Sequence, residues 1–270
     1  MKRYDLLIVD PQNDFMDIAG AALPVPGAAA DMERLARWLG TAGEHVDSIT
    51  VTLDSHASVG IERTTFWVDA QGKAVAPFTP ITLADLRSGK YRARHAQWQA
   101  QAIDYVAALE GTGQHQLIAW PVHCVTATWG HGIHSPLAQS IAQWELETGR
   151  TCIKVLKGMH PLTEQYSAFR AEVPRSDAAT TQLNCELLER LGKGEGVLLV
   201  AGEAQSHCVA ASVRDMLVHL PAARLAQTVL LSDCMSPVSG FESDAARLME
   251  QVQSAGLQVC RVTELDGGSA

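Results

Sequence analysis

Seven short apolar runs recur along the chain, and between them lie stretches with apolar residues at three- and four-residue spacing. The runs are "YDLLIVD", "SITVTLD", "HQLIAW", "TCIKVLK", "GVLLVAG", "TVLLSD" and "LQVCRVT". They are rich in β-branched residues and leucine without polar alternation, which reads as parallel strands buried on both faces. The intervening "AAADMERLARWLGTA", "SPLAQSIAQWELETG", "TTQLNCELLERLGKG", "SHCVAASVRDMLVHL" and "FESDAARLMEQVQSAG" read as amphipathic helices, several ending in glycine. Such alternation predicts an α/β fold: a doubly wound, mostly parallel sheet flanked by helices.

Covering both faces of a sheet needs a long chain rich in apolar residues. The 270 residues, 47% hydrophobic and 19% charged, supply one, and a single domain spanning 1–270 is expected. Residues 66–114 break the alternation, with a hairpin-like segment around Gln71 and Gly72, then Pro77 and Pro80, then a helical run from about His95. They read as an insertion folded over one end of the sheet, and the terminal "DGGSA" as a frayed tail.

A net charge of −9 and a pI near 5.5 argue against nucleic-acid or anionic-membrane partners and leave small-molecule chemistry. The apolar run near the N-terminus is broken by Asp10 and Pro11, and no run has the length of a membrane span, so a soluble, cytoplasmic protein is expected. Six cysteines without a C-x-x-C pair suit a reducing compartment better than a disulfide framework.

Ligands of doubly wound sheets bind beyond the carboxyl ends of the strands, so the residues there carry the functional signal. The first strand ends at Asp10 and the second at Asp54, with His56 two residues on. The third ends at Trp120 with His123 beyond it, the fourth at Lys157, and the fifth leads to Cys208. Asp10 alone reads as a turn cap, Lys157 alone as a solvated charge, and Cys208 alone as either a nucleophile or a buried thiol. Together they form a coherent set, because a cysteine nucleophile needs a group to take its proton and a charge to stabilise its thiolate. His207 adjoins the cysteine, but neighbouring residues diverge at a helix start, and a packing or solvent-facing role is expected of it.

Asp54, His56 and His123 have the chemistry of a metal site. Two imidazoles and a carboxylate with open positions suit zinc or iron(II). Glu62 reads either as a further ligand or as an exposed surface residue, and His131 and His134 lie too far beyond the third strand to be first choices.

"LLIVDPQNDFMDIAGAALPVPGA", "TLDSH", "WPVHCVTATWGHGIHSPL", "LKGMHPLTEQYSAF" and "GEAQSHCVAASVRDML" resemble, in order, the motifs of nicotinamidases within the isochorismatase-like cysteine hydrolase superfamily. The match covers most of the chain outside 66–114. The resemblance implies a catalytic triad of Asp10, Lys157 and Cys208, and a divalent metal, zinc first, on Asp54, His56 and His123. It implies aromatic contacts to a substrate ring from Phe15 and Trp120, and a cis peptide between Glu203 and Ala204. It also implies an oxyanion hole from the backbone N–H groups of Ala204 and Cys208, a small-molecule amide substrate and a homo-oligomer. The activity implied is hydrolysis of nicotinamide through a thioester, feeding NAD salvage; a related hydrolase of another small amide or ureido compound is the alternative.

Two departures bear on the substrate. Gln205 and Ser206 stand where nicotinamidases carry Thr and Asp, and the 66 residues between His56 and His123 are far more than compact nicotinamidases have. Phe66, Trp67, Phe78, Tyr91 and Trp98 of the insertion are candidates to line or lid the pocket.

Overall fold

The computed structural model describes residues 2–113 and 115–265; the "DGGSA" tail lies outside them. Its strands are β1 (Tyr4–Val9), β2 (Val46–Asp54), β3 (Trp67–Asp69), β4 (Thr79–Ile81), β5 (Tyr91–Ala93), β6 (Leu117–Ala119), β7 (Ile153–Lys157), β8 (Val197–Gly202), β9 (Thr228–Leu231) and β10 (Gln258–Cys260). Its helices are α1 (Ala28–Ala42), α2 (Leu83–Arg87), α3 (Gln99–Thr112), α4 (Ser135–Thr148), α5 (Cys185–Gly192), α6 (Ala210–His219), α7 (Ala222–Leu225) and α8 (Glu242–Ser254). Six strands form one sheet in the order β10-β9-β8-β1-β2-β7, every pair parallel.

β1 lies in the middle of the sheet and is buried along its whole length, as expected of a strand covered on both faces. α1 turns Met32, Leu35, Ala36 and Leu39 inward at three- and four-residue spacing and packs against α4. Among the described residues no helix is long and apolar enough to cross a membrane.

One expected strand lies elsewhere. "HQLIAW" forms β6, which pairs antiparallel with β4 in a separate two-stranded sheet instead of joining the central one. A short apolar run reports burial, and burial is as complete in a small antiparallel pair as in a parallel sheet. Around β6 the residues Ile61, Phe66, Trp67, Ile81, Tyr105, Val106 and Leu109 pack into a second apolar cluster, distinct from the one around the sheet.

Register lines up the strand ends. Asp54 lies beside Lys157, and Val9 beside Gly202. Asp10 follows at once in the left-handed region, φ 44°, unusual for a residue other than glycine. At Gly202, φ is +119° and a Cβ would fall on the Val9 carbonyl oxygen. Gly202→Ala is therefore expected to lower stability by about 3 kcal/mol or more, read by denaturant unfolding.

Candidate active site

At the carboxyl ends of four neighbouring strands one cation meets two carboxylates and a thiol. The Lys157 ammonium, at the end of β7, is 2.8 Å from Asp10 Oδ2 and 2.9 Å from Asp54 Oδ1. It also donates to the Gln165 carbonyl at 3.1 Å and lies 3.5 Å from Cys208 Sγ. Asp10, Lys157 and Cys208 are all buried. Thr52, one strand over, donates its hydroxyl to Asp10 Oδ1 at 2.6 Å, which leaves Oδ2 for the ammonium and the thiol.

Burial alone would lower Lys157, but Asp10 and Asp54 hold it well above the usual lysine range, so it stays charged. Burial pushes the Cys208 thiol well up, opposed by Lys157 and aided by Asp10 and Asp54. The resting group is a thiol, so a nucleophile arises there only when a base takes the proton. Asp10 is the base within reach, and burial raises its own proton affinity while Lys157 lowers it.

Cys208 lies in a π-helical turn, Gln205–Val209, that runs into α6. The peptide between Glu203 and Ala204 is cis, as the motif implies. Ala204 and Cys208 border the same cavity, where backbone N–H groups at a helix start can meet a developing negative charge. Glu203 is wholly buried behind this turn.

The three expected metal ligands converge. One ligand atom from each of Asp54, His56 and His123 lies within 4.8 Å of the others. His56 Nε2 is 2.8 Å and His123 Nε2 is 3.5 Å from Asp54 Oδ2. Each ring ties its Nδ1 to a backbone carbonyl at 2.8 Å, His56 to Gly158 and His123 to Pro121, which sets the Nε2 lone pairs toward the carboxylate. Burial and the Arg63 charge push His123 down to about 4, so its imidazole is neutral and free to ligate. Three electron-pair donors this close need a cation or a proton between them, and the set fits a divalent ion.

Gly158, at φ +70°, makes the approach possible: a Cβ there would meet His56 Cε1 at 2.6 Å and Asp54 Oδ1 at 2.8 Å. Glu62 is not exposed. It is buried behind His56, with Oε1 3.4 Å from His56 Nδ1 and 3.0 Å from Arg63 Nε, on the side away from the ligand atoms.

The cavity over the thiol is small, about 30 Å³. Phe15 and Trp120 line it as expected, with Tyr166, His207 and Glu164. None of the insertion's candidate aromatics does. Phe66, Trp67, Tyr91 and Trp98 belong to the second apolar cluster, and Phe78 stands half-exposed outside, 5.6 Å from the Trp120 ring.

His207 is a packing residue, against Trp120, Tyr166 and Phe241 at centroid distances of 5.2, 5.2 and 4.7 Å. Burial pushes it down to about 3, which disqualifies it as a base at neutral pH.

Two residues escaped the sequence reading. Gln12 exchanges hydrogen bonds with the Asp54 backbone, at 2.7 and 2.8 Å, and extends the β1–β2 ladder one step beyond the strands. Glu164 brings a buried carboxyl to the cavity, and its Oε2 has no hydrogen-bond partner. The signal for Gln12 was a polar residue two places past a strand end; for Glu164 there was none.

No protein-family model matches the sequence, and no curated protein matches it either. Solved structures do match. The yeast nicotinamidase is 22% identical, with 95% of this chain and 98% of that chain covered and a TM-score of 0.63. An Acinetobacter baumanii nicotinamidase pyrazinamidase is 20% identical over 98% and 99%, TM-score 0.65. A Pyrococcus horikoshii pyrazinamidase solved in complex with zinc is 21% identical over 96% and 99%, TM-score 0.56. At these identities the likeness is one of fold, and in fold the chain is nicotinamidase-like along nearly its whole length.

Proposed function

We propose that this protein is a cysteine-dependent amidohydrolase that converts a small carboxamide, nicotinamide first among them, to the carboxylic acid and ammonia. The observation that carries the reading is the Lys157 ammonium in contact with Asp10, Asp54 and Cys208 beside an aromatic-lined cavity. A carboxylate base, a buried cation and a thiol together suit nucleophilic acyl transfer. In nicotinamide turnover the product would feed NAD salvage.

In the proposed sequence Asp10 takes the Cys208 proton while Lys157 stabilises the thiolate. Sulfur attacks the amide carbon, and the carbonyl oxygen gathers charge between the Ala204 and Cys208 N–H groups. Removing one such donor costs roughly 3 kcal/mol of transition-state stabilisation. Asp10 returns the proton to the departing ammonia, then draws one from the water that hydrolyses the thioester. Asp54, His56 and His123 would hold a divalent ion, zinc by their donor chemistry, which when bound orients a substrate heteroatom. Phe15 and Trp120 flank the ring.

Ammonia release from nicotinamide by the purified protein tests the reading, with and without chelation. Turnover is expected, and it should fall at least about tenfold after chelation and return with added zinc. Absence of release from nicotinamide and from every amide of a small panel would overturn it. The alternative substrate is another small amide or a ureido compound; Glu164 borders the cavity, with its unpartnered oxygen buried. The same panel decides between the two.

A further inference from the structure

Behind the nucleophile turn, three elements meet around two carboxyl groups. Glu203, at the cis peptide, accepts from the Ser236 N–H through Oε2 at 3.1 Å. Ser236 donates its hydroxyl to Asp31 Oδ2 at 2.5 Å, and its carbonyl accepts the Gln205 N–H at 2.8 Å. Asp31, on α1, is also paired with Arg34. Two residues along the same loop, the Val238 N–H donates to Ser206 Oγ at 3.1 Å. The segment after β9 therefore grips the turn at Glu203, Gln205 and Ser206, the stretch where the chain departs from the nicotinamidase pattern.

Glu203 Oε1 is buried and has no donor. A proton on that carboxyl gives Oε1 a hydrogen to donate toward the neighbouring Asp31. The chemistry agrees: burial first, then the Asp31 charge, raises Glu203 well above the usual carboxylate range. The charged groups that face it are Asp31, with Arg34 behind, and Asp17 from the segment before α1.

We propose that Glu203 is a positioning residue: its carboxyl group, which accepts the Ser236 N–H beside the Ser236–Asp31 hydrogen bond, fixes the turn that presents Cys208 and the Ala204 N–H to substrate. The inference rests on the amidohydrolase reading for its catalytic consequence, while the clamp itself does not depend on which amide is cleaved.

Glu203→Leu removes the clamp and leaves the Ser236 N–H without its acceptor. Glu203→Gln keeps a neutral donor and acceptor in the same shape. In the leucine variant kcat is expected to fall about tenfold to a hundredfold, less than the loss of one oxyanion donor, with KM changed less than about threefold. Alkylation of Cys208 by iodoacetamide should slow by a similar factor. The glutamine variant should recover most of both. It should also lose a pH dependence that the native protein has. A carboxyl that keeps its proton to higher pH in the native state than in the unfolded chain makes stability fall as pH rises, and an amide cannot ionise.

Leucine and native proteins that match in kcat and alkylation rate would overturn the proposal. So would a glutamine variant as impaired as the leucine one, or, if the leucine variant does not fold, melting curves of glutamine and native proteins with the same pH dependence. An alkylation effect without hydrolysis of any amide would sustain the clamp and remove the amidohydrolase reading.

Discussion

Cys208→Ala is expected to abolish ammonia release, by at least about 10⁴-fold, while the protein keeps its fold. The size follows from the arrangement. In the proposed sequence each proton transfer by Asp10 serves a bond made or broken at the sulfur that lies 3.5 Å from the Lys157 ammonium, and a nucleophile and its partners are lost as a unit. An alanine leaves an N–H pair and a cavity that still bind amide, so KM or the dissociation constant should move little. Ammonia release measured beside substrate binding by calorimetry checks both halves. Residual turnover within tenfold of the native rate would show that the thiol is not the nucleophile.

Lys157→Met is expected to cost more than activity. The ammonium is the shared counter-charge of Asp10 and Asp54, both buried, at 2.8 and 2.9 Å. Methionine fills the space and leaves two carboxylates facing each other without a cation. Breaking a buried ion pair from one side destabilises by about 3–5 kcal/mol, and here one side serves two partners. Turnover should fall by more than about 10³-fold, because the thiolate loses its stabilising charge as well. Denaturant unfolding reads the first effect and ammonia release the second. A variant as stable as the native protein would mean that the carboxylates are neutral already and that the cation does not hold them.

Much of the site was legible because its residues follow strand ends, where a parallel sheet gathers side chains from distant parts of the sequence. Asp10, Asp54, Lys157 and Cys208, with His56 and His123 a few places beyond their strands, could be collected by finding where apolar runs stop. What stayed hidden depends on partners. Glu62 and Glu203 are ordinary acidic residues in the sequence, and their burial becomes visible only once Arg63 and Asp31 are seen beside them. "HQLIAW" gave the right burial and the wrong sheet, since an apolar run names no pairing partner. The insertion's aromatics invited a lid, yet most of them close a small core of their own, because a segment that folds over a sheet must first bury its own apolar surface.

The order β8-β1-β2-β7 has a consequence for how the protein is made. Cys208, Asp10, Asp54 and Lys157 belong in turn to those four adjacent strands, yet in the chain the first and last of the four positions are nearly two hundred residues apart. No early fragment emerging from a ribosome contains the cysteine together with the shell that arms it. β1 has to wait for β8 before its second edge is paired, and pairings this distant form late. The nascent chain thus carries an ordinary thiol until those four strands are joined, and the reactivity of that single sulfur reports whether they have come together.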